Sequence, residues 1–181
     1  MIKDVEKILV SEEQIEKICD RIAKQIEQDY QNSKKLVLIC ILKGSLPFTA
    51  ELMKRISLPL ELECMKVSSY GASSTSSGVI NLHLDLQRND LSDADFIVVE
   101  DIVDSGRTLS YLVRYLSERG AKSVRTCTLL DKPERRTVNF TPDYCGQIID
   151  DYFVVGFGLD YDEKYRNLPY VGILKPEVYG G

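Results

Sequence analysis

Histidine is nearly absent from this sequence, and its scarcity excludes two common kinds of catalytic site. The chain of 181 residues contains one histidine, His83, so a histidine-based metal cluster or a Ser-His-Asp triad has almost nothing to draw on. His83 lies in the alternating segment VINLHLDL, with leucines on one face and polar residues on the other. This alternation predicts a strand whose histidine faces solvent.

Long hydrophobic runs and an excess of positive charge are also missing. No apolar run approaches the ~20 residues needed to span a bilayer, and the first residues, MIKDVEKILVSEEQ, contain no signal-peptide core. The formal net charge is −5, which argues against a nucleic-acid partner because phosphate neutralisation requires a basic face. We therefore expect a cytoplasmic protein with neither a membrane nor a nucleic-acid partner.

The cysteines show no pairing pattern. They are odd in number, widely separated and without C-x-x-C spacing. Most lie in apolar periodic segments, where a free thiol behaves as a small hydrophobic side chain. We interpret all five as structural thiols: Cys19, Cys40, Cys64, Cys127 and Cys145.

The apolar pattern that is present predicts an α/β fold in a single domain, residues 1–181. Ser11 and Gln14 have capping-box spacing before an amphipathic helix that extends to about Gln31. Further helices are predicted at 46–56 and 107–120, and strands at 35–42, 60–67, 79–87, 95–102, 123–131 and 149–158. The strand at 79–87 is expected to pair with the one before it as a hairpin, and the central sheet is expected to be mostly parallel.

One segment, IVVEDIVDSGRTL, combines a buried strand with three acids and a turn of small residues. Ligands of open parallel sheets bind outside the carboxyl ends of strands. The turn offers backbone N–H groups and hydroxyls that can wrap a phosphate, with Gly106 permitting close approach. It is not a Walker loop, because G-x-x-x-x-G-K-[ST] is absent. The turn comprises Asp104, Ser105, Gly106, Arg107 and Thr108.

The adjacent acids Glu100 and Asp101 need a separate explanation. Two carboxylates beside a phosphate are costly unless a cation neutralises them, which suggests Mg²⁺. Alternatively, they accept hydrogen bonds from sugar hydroxyls. A structural alternative is helix capping, which is worth ~0.3–1 kcal/mol for an acid near a helix N-terminus. Capping accounts for Asp104, but not for an acidic pair at the end of an apolar strand.

These motifs resemble those of a known family. VVEDIVDSGRTL resembles the phosphoribosyl-diphosphate (PRPP) signature of type I phosphoribosyltransferases, LKGS resembles their pyrophosphate loop, and SYG opens what resembles their mobile flap loop. LLDKP and DYFVVGFGLDYDEKYRNLPYVGIL resemble the purine-binding and C-terminal segments of the hypoxanthine-guanine phosphoribosyltransferases. The resemblance implies their fold: a mostly parallel central sheet flanked by helices, a small hood formed by the chain ends, and a mobile flap.

The activity implied by the resemblance is Mg²⁺-dependent transfer of 5-phosphoribosyl from PRPP to N9 of a 6-oxopurine. The enzyme would be a pentosyltransferase of purine salvage that releases pyrophosphate. The residues that match the PRPP-binding motifs are Lys43, Gly44, Glu100, Asp101, Asp104, Ser105, Gly106, Arg107, Thr108 and Arg166. Among them Asp104 matches the catalytic acid beside purine N7, and Glu100, Asp101 and Asp160 match metal ligands. Ser69 and Tyr70 match the flap.

Purine binding is implied for Lys132, Phe153, Val154 and Asp160. Lys132 has only donors, which suit the O6 acceptor of hypoxanthine or guanine and oppose the amino group of adenine. Phe153 would stack on the base, and Val154 would contribute its backbone. Without the resemblance, Lys132 is equally compatible with a surface lysine, and Phe153 and Val154 with core residues of a strand. The segment DYDEKYR, which contains Asp160, is equally compatible with a solvated charged loop.

The resemblance also implies a cis peptide between Leu42 and Lys43. Such a bond would turn the N–H groups of Lys43, Gly44 and Ser45 toward pyrophosphate, and the Lys43 side chain would be free to face a neighbouring subunit of a homodimer or homotetramer. Two alternatives remain open. One is a related enzyme for xanthine, adenine or a pyrimidine; the other is a PRPP-sensing regulator that binds RNA or DNA, which the isoelectric point of about 5.0 disfavours.

Overall fold

The computed structural model describes residues 2–69 and 80–180. In chain order the regular elements are β1 (Val5–Val10), α1 (Glu12–Tyr30), β2 (Leu36–Leu42), α2 (Leu46–Met53), β3 (Leu60–Ser69), β4 (Ile80–Leu84), β5 (Asp95–Val103), α3 (Arg107–Glu118), β6 (Ser123–Asp131), β7 (Tyr144–Ile148), β8 (Val154–Val155), β9 (Val171–Leu174) and α4 (Pro176–Tyr179). Short 3-10 turns span Ile2–Asp4, Leu91–Asp93 and Pro133–Arg135. The predicted bounds of β2, β3, β5 and β6 agree with these to within two residues.

A six-stranded sheet forms the centre of the molecule, with strand order β4-β3-β2-β5-β6-β7. All neighbours are parallel except β4, which pairs antiparallel with β3 as the predicted hairpin. Alternate residues of the central strands enter different cores. Leu38 packs in the core that contains α1 and α2, whereas Val37 and Ile39 pack in the core that contains α3. The predicted α/β class is confirmed.

Helix α1 begins with the predicted capping box. The Ser11 hydroxyl accepts the N–H of Gln14 at 3.2 Å, and the Gln14 side chain accepts the N–H of Ser11 at 2.8 Å. The apolar face of the helix is buried at Ile15, Ile22 and Ile26, which fixes α1 against the central sheet.

A second, antiparallel sheet joins the two ends of the chain in the order β1-β9-β8. It forms the expected hood. The prediction of one strand at 149–158 is wrong: strand structure in this segment is limited to Val154–Val155, and it belongs to the hood. Gly156 and Gly158, both with φ of +98°, leave the extended conformation and end the strand.

The predictions about cysteine and histidine agree with the structure. All five cysteines are free, and Cys19, Cys40 and Cys127 are buried. His83 is exposed on β4. Of the helices in the two described ranges, none combines the length and apolar character required to cross a membrane. In the flap, Ser69 is the last residue of β3, and Tyr70 lies outside the described residues.

Candidate active site

Two turns at the carboxyl ends of neighbouring parallel strands form the base of the site. One follows β2 and leads into α2; the other follows β5 and leads into α3. The peptide between Leu42 and Lys43 is cis, as the resemblance implied. The first turn approaches β5 at Gly44, where a Cβ atom would lie only 1.7 Å from Oδ2 of Asp101. A side chain at position 44 would therefore displace the Asp101 carboxylate.

The N–H groups of the first turn differ in their partners. Ser45 does not match the expectation, because its N–H is directed toward the carbonyl of Ile41 at 3.4 Å. Its hydroxyl donates to the same carbonyl at 2.7 Å, which ties the start of α2 back to the end of β2. The turn thus offers an anion at most the N–H groups of Lys43 and Gly44.

Glu100 and Asp101 form a half-buried acidic pair near the end of β5. Burial and the neighbouring Asp101 raise the pKa of Glu100 well above its usual value. Burial also raises the pKa of Asp101, although its carboxylate accepts the N–H of Ile102 at 2.8 Å. Oε2 of Glu100 is buried and has no hydrogen-bond partner in the described part of the chain. A cation or a donor at this oxygen would satisfy it.

Asp160, the third predicted metal ligand, has a different set of partners. Its Oδ1 lies 2.8 Å from Nη2 of Arg166, and its Oδ2 accepts the N–H of Glu163 at 3.0 Å. Within residues 2–69 and 80–180, no three His, Cys, Asp or Glu side chains lie close enough to hold one metal ion. Mg²⁺ commonly uses one or two carboxylates and completes its shell with water and substrate phosphate. The acidic pair suits that mode.

The turn after β5 surrounds a cavity of about 190 Å³. Gly106 adopts φ of +81°, and a Cβ atom there would lie 2.8 Å from the Arg136 side chain. The Ser105 carbonyl accepts the N–H of Thr137 at 3.0 Å, so the segment after β6 supports the turn. The predicted residues that line this cavity are Glu100, Asp104, Ser105, Gly106 and Thr108.

Arg107 belongs to the predicted phosphate turn but does not line the cavity. Its Nε donates to Oγ1 of Thr137 at 3.0 Å, which places the guanidinium against the supporting segment. Its N–H donates to the Ser105 hydroxyl at 3.3 Å. The structure therefore assigns the Arg107 side chain a contact within the protein.

A second cavity, of about 460 Å³, adjoins the first. All four predicted purine-binding residues line it: Lys132, Phe153, Val154 and Asp160. Ile102 and Asp104 line both cavities. Asp104 therefore lies where a ligand in one cavity would meet a ligand in the other.

Lys132 is buried at the wall of the second cavity. Its ammonium donates to the carbonyl of Tyr152 and lies 3.5 Å from the Asp151 carboxylate. These partners give the buried ammonium a carbonyl and a carboxylate as neighbours. The ammonium has three N–H donors, so it can also donate to a ligand oxygen.

Sequence reasoning missed six residues that line the second cavity, among them Arg135, Asp151 and Tyr179. Arg135 bridges two acids, with Nε 3.2 Å from Asp104 and Nη1 3.2 Å from Asp151. The positions of Arg135 and Asp151 beside the LLDKP and DYFVV motifs were the available signal. The contact of Tyr179 with Phe153, described below, had none.

Lys43 and Arg166 meet at one acid. Both lie near Oε2 of Glu163, at 3.0 and 3.3 Å. Arg166 also donates to the carbonyl of Gly158 at 2.7 Å, and its buried Nε has no hydrogen-bond partner among the described residues. The Lys43 side chain thus contacts its own chain, and Arg166 retains a donor for a ligand.

The chain matches the family model "Phosphoribosyl transferase domain" over residues 6–162. The chain belongs to the phosphoribosyltransferase family. The family predicted from the motifs is confirmed, and so is the predicted enzyme class.

Curated relatives of this phosphoribosyltransferase include the hypoxanthine-guanine phosphoribosyltransferase of Lactococcus lactis, 52% identical over 98% of this chain and 95% of that protein. The bifunctional TilS/HprT protein of Listeria monocytogenes is 46% identical over 99% of this chain, which spans only 27% of that relative. A crystal structure of a hypoxanthine phosphoribosyltransferase from Staphylococcus aureus superposes with a TM-score of 0.94 at 43% identity, covering 100% of this chain and 97% of the other.

Proposed function

We propose that the protein transfers the 5-phosphoribosyl group from PRPP to N9 of hypoxanthine or guanine, forming IMP or GMP and pyrophosphate. The observation that carries this proposal is the pair of cavities that meet at Asp104. One is bounded by a turn suited to phosphate, and the other by a buried lysine and an aromatic ring. A two-substrate transfer needs this adjacency, because the reacting atoms must be held in contact.

PRPP occupies the first cavity in this proposal. The 5-phosphate is held by the turn of Ser105, Gly106 and Thr108, at the start of α3. The N–H groups of Lys43 and Gly44 and the guanidinium of Arg166 hold the pyrophosphate. The buried Nε of Arg166 supports this role, since a buried donor without a partner is costly and an anion would satisfy it.

Magnesium is the cofactor that fits the acidic pair. Glu100 and Asp101 hold the ribose hydroxyls and a hydrated Mg²⁺, and Asp160 holds a second ion. When bound, Mg²⁺ supplies positive charge that stabilises the leaving pyrophosphate. The partnerless oxygen of Glu100 supports the assignment.

Asp104 is the catalytic acid. As the bond from ribose C1′ to pyrophosphate breaks, the ribose acquires oxocarbenium-like charge and purine N9 bonds to C1′. The base must then lose a proton, and an Asp104 carboxylate oxygen accepts it from N7. The contact with Nε of Arg135, at 3.2 Å, holds the Asp104 carboxylate at the junction of the two cavities.

Base choice depends on Lys132. Its ammonium donates to O6 of the base, while Phe153 stacks on the ring and the Val154 backbone contacts the purine edge. Adenine carries an amino group where the 6-oxopurines carry O6, so two donors would face each other. Binding of adenine would leave a buried N–H donor of Lys132 without an acceptor, and the cost of that donor disfavours adenine strongly.

We also propose a single domain over residues 1–181, located in the cytoplasm and assembled as a homodimer or homotetramer. Five free cysteines support a reducing compartment. Exposed large apolar side chains, such as those of Leu46, Leu62 and Leu84, support association. Light scattering at micromolar concentration measures the assembly directly, and a monomer would contradict it.

Product analysis tests the proposed function. The protein is incubated with PRPP, hypoxanthine and Mg²⁺, and the products are identified by chromatography and mass spectrometry. We expect IMP and pyrophosphate in equal amounts, and no product when a chelator removes Mg²⁺. Pyrophosphate release that does not require a base would contradict the proposal.

A further inference from the structure

Phe153, the residue that stacks on the base in the proposed function, already carries a ring on one face. The ring centroid of Tyr179, at the end of α4, lies 4.5 Å from that of Phe153, with the planes 17° apart. This is the geometry of an offset stack. A base inserted between the rings would require the two centroids to be about 7 Å apart, which is twice the contact distance between carbon atoms. The face of Phe153 covered by Tyr179 is therefore closed to a purine.

Phe153 keeps exposed surface on the wall of the second cavity. Phe153 is still 38% exposed although Tyr179 covers one face. Its other aromatic neighbour, Tyr161, meets it edge-on at 5.6 Å and 84°, so Tyr161 does not form a second parallel layer. A base in the 460 Å³ cavity can therefore stack on the uncovered face.

The backbones of both rings are held by the hood. The carbonyl of Phe153 accepts the N–H of Leu174, the last residue of β9, at 2.8 Å. The next residue, Lys175, donates its N–H to the carbonyl of Asp4 at 2.9 Å, and α4 follows. Val178 packs in the apolar cluster of the hood. Tyr179 is thus brought over Phe153 by the same sheet that positions Phe153.

We propose that Tyr179 is a positioning residue for the purine. It backs Phe153, so that a bound base, Phe153 and Tyr179 form three stacked layers. Without Tyr179 the Phe153 ring gains rotational freedom, which the base must then remove on binding. The proposal rests on the proposed function in one respect: it takes Phe153 as the ring on which the base stacks.

Steady-state kinetics of the full chain test this role. We expect Tyr179→Ala to raise the KM for hypoxanthine about three- to tenfold, the range that corresponds to the loss of one aromatic pair. The KM for PRPP should not change, because Tyr179 does not line the phosphate cavity. Tyr179→Phe should restore the wild-type KM for hypoxanthine. Glu177→Ala, an exposed change in the same helix, is the matched control and should behave as wild type.

Three results would overturn the proposal. The first is an unchanged KM for hypoxanthine in Tyr179→Ala. The second is a lowered KM in that variant, which would mean that Tyr179 blocks the face used by the base. The third is a KM for hypoxanthine raised as much in Tyr179→Phe as in Tyr179→Ala. If Tyr179→Ala does not fold, Tyr179→Leu keeps an apolar side chain without a ring and is judged by the same criteria. If the wild-type protein is inactive with hypoxanthine, both the proposed function and the role of Tyr179 are contradicted. If the wild type is active and Tyr179→Ala has the same KM for hypoxanthine, only the role of Tyr179 is contradicted.

Discussion

At the scale of single residues, Asp104 connects the two cavities. It lines both, and its carboxylate contacts Arg135, which also contacts Asp151. The residues of the motif alone place Asp104 beside the phosphate turn; its place beside the base was implied only by the family resemblance, and its contact with Arg135 was not predicted. The acidic pair before it was identifiable, because two carboxylates at the end of an apolar strand have few structural explanations.

Asp104→Asn should slow turnover while PRPP binding persists. Asparagine keeps the size of the side chain but cannot accept the proton from the base, so we expect kcat to fall by roughly 10²–10⁴. Asp151→Asn is the matched control, because it also removes a carboxylate from Arg135 but leaves the proton acceptor in place. An unchanged kcat with a raised KM for PRPP in Asp104→Asn would reduce Asp104 to a structural role.

Gly44→Ala tests the close approach of the first turn to Asp101 of β5. The added Cβ would lie 1.7 Å from Oδ2 of Asp101, so the carboxylate must move out of the acidic pair. We expect the KM for PRPP to rise at least tenfold, roughly the cost of one misplaced charged contact. The melting temperature should change little, since the displaced group serves the site. A variant that unfolds, with normal PRPP affinity in its folded fraction, would show that Gly44 is structural.

At the scale of elements, the capping box of α1 was predictable because its signal is local. Ser11→Ala removes the acceptor of the Gln14 N–H, and we expect a loss of about 0.5–2 kcal/mol in the free energy of unfolding. Urea unfolding measures it. Ser11→Asp retains a capping oxygen and should restore most of the loss. If both variants are equally destabilised, the cap is not the cause.

The start of β5 is held by Asp95, a buried carboxylate that connects this strand to the loop before β2 and to the start of β6. It accepts hydrogen bonds from Ser33 at 2.6 Å and from Lys122 and Ser123 at 2.7 Å. Burial raises the pKa of Asp95, but these hydrogen bonds outweigh burial and leave the pKa below its usual value. Its contribution to stability is therefore complete above the unfolded-state pKa of about 3.9 and is lost as pH falls through the lower folded-state value.

Asp95→Asn should accordingly destabilise the protein at neutral pH by about 1–3 kcal/mol, because the amide leaves buried donors unpaired. The difference in unfolding free energy between wild type and variant should shrink as pH is lowered from about 5 toward 3. Urea titrations at several pH values measure this difference. A difference that grows on acidification would contradict the assigned direction of the pKa shift.

The hood shows where local reasoning about elements failed. The hood strands β1 and β9 were not predicted, and the segment 149–158, which contains the hood strand β8, was assigned as one strand. Residues of β1 are mostly exposed, with burial complete only at Val10, so the strand lacks an apolar pattern. Its pairing partner β9 lies at the other end of the chain. Such strands depend on distant backbone partners, which periodicity does not detect.

At the scale of the whole molecule, the central sheet was predictable except for its edge strand β7, and the purine cavity was predictable in part. Buried parallel strands appear as uninterrupted apolar runs, and the site lies at their carboxyl ends. The contacts of Arg135 with Asp151 and of Tyr179 with Phe153 depend on how the hood packs over the sheet. These contacts required the assembled structure.

A comparison of bases tests the central claim most directly. The kcat/KM for hypoxanthine, guanine, xanthine and adenine is measured side by side, at saturating PRPP and Mg²⁺, from the release of pyrophosphate. Because the Lys132 ammonium would face the amino group of adenine, we predict turnover of hypoxanthine and guanine and a value for adenine lower by at least 10²-fold. Adenine turned over as fast as hypoxanthine would contradict the account of Lys132, and release with none of the four bases would contradict the proposed function itself.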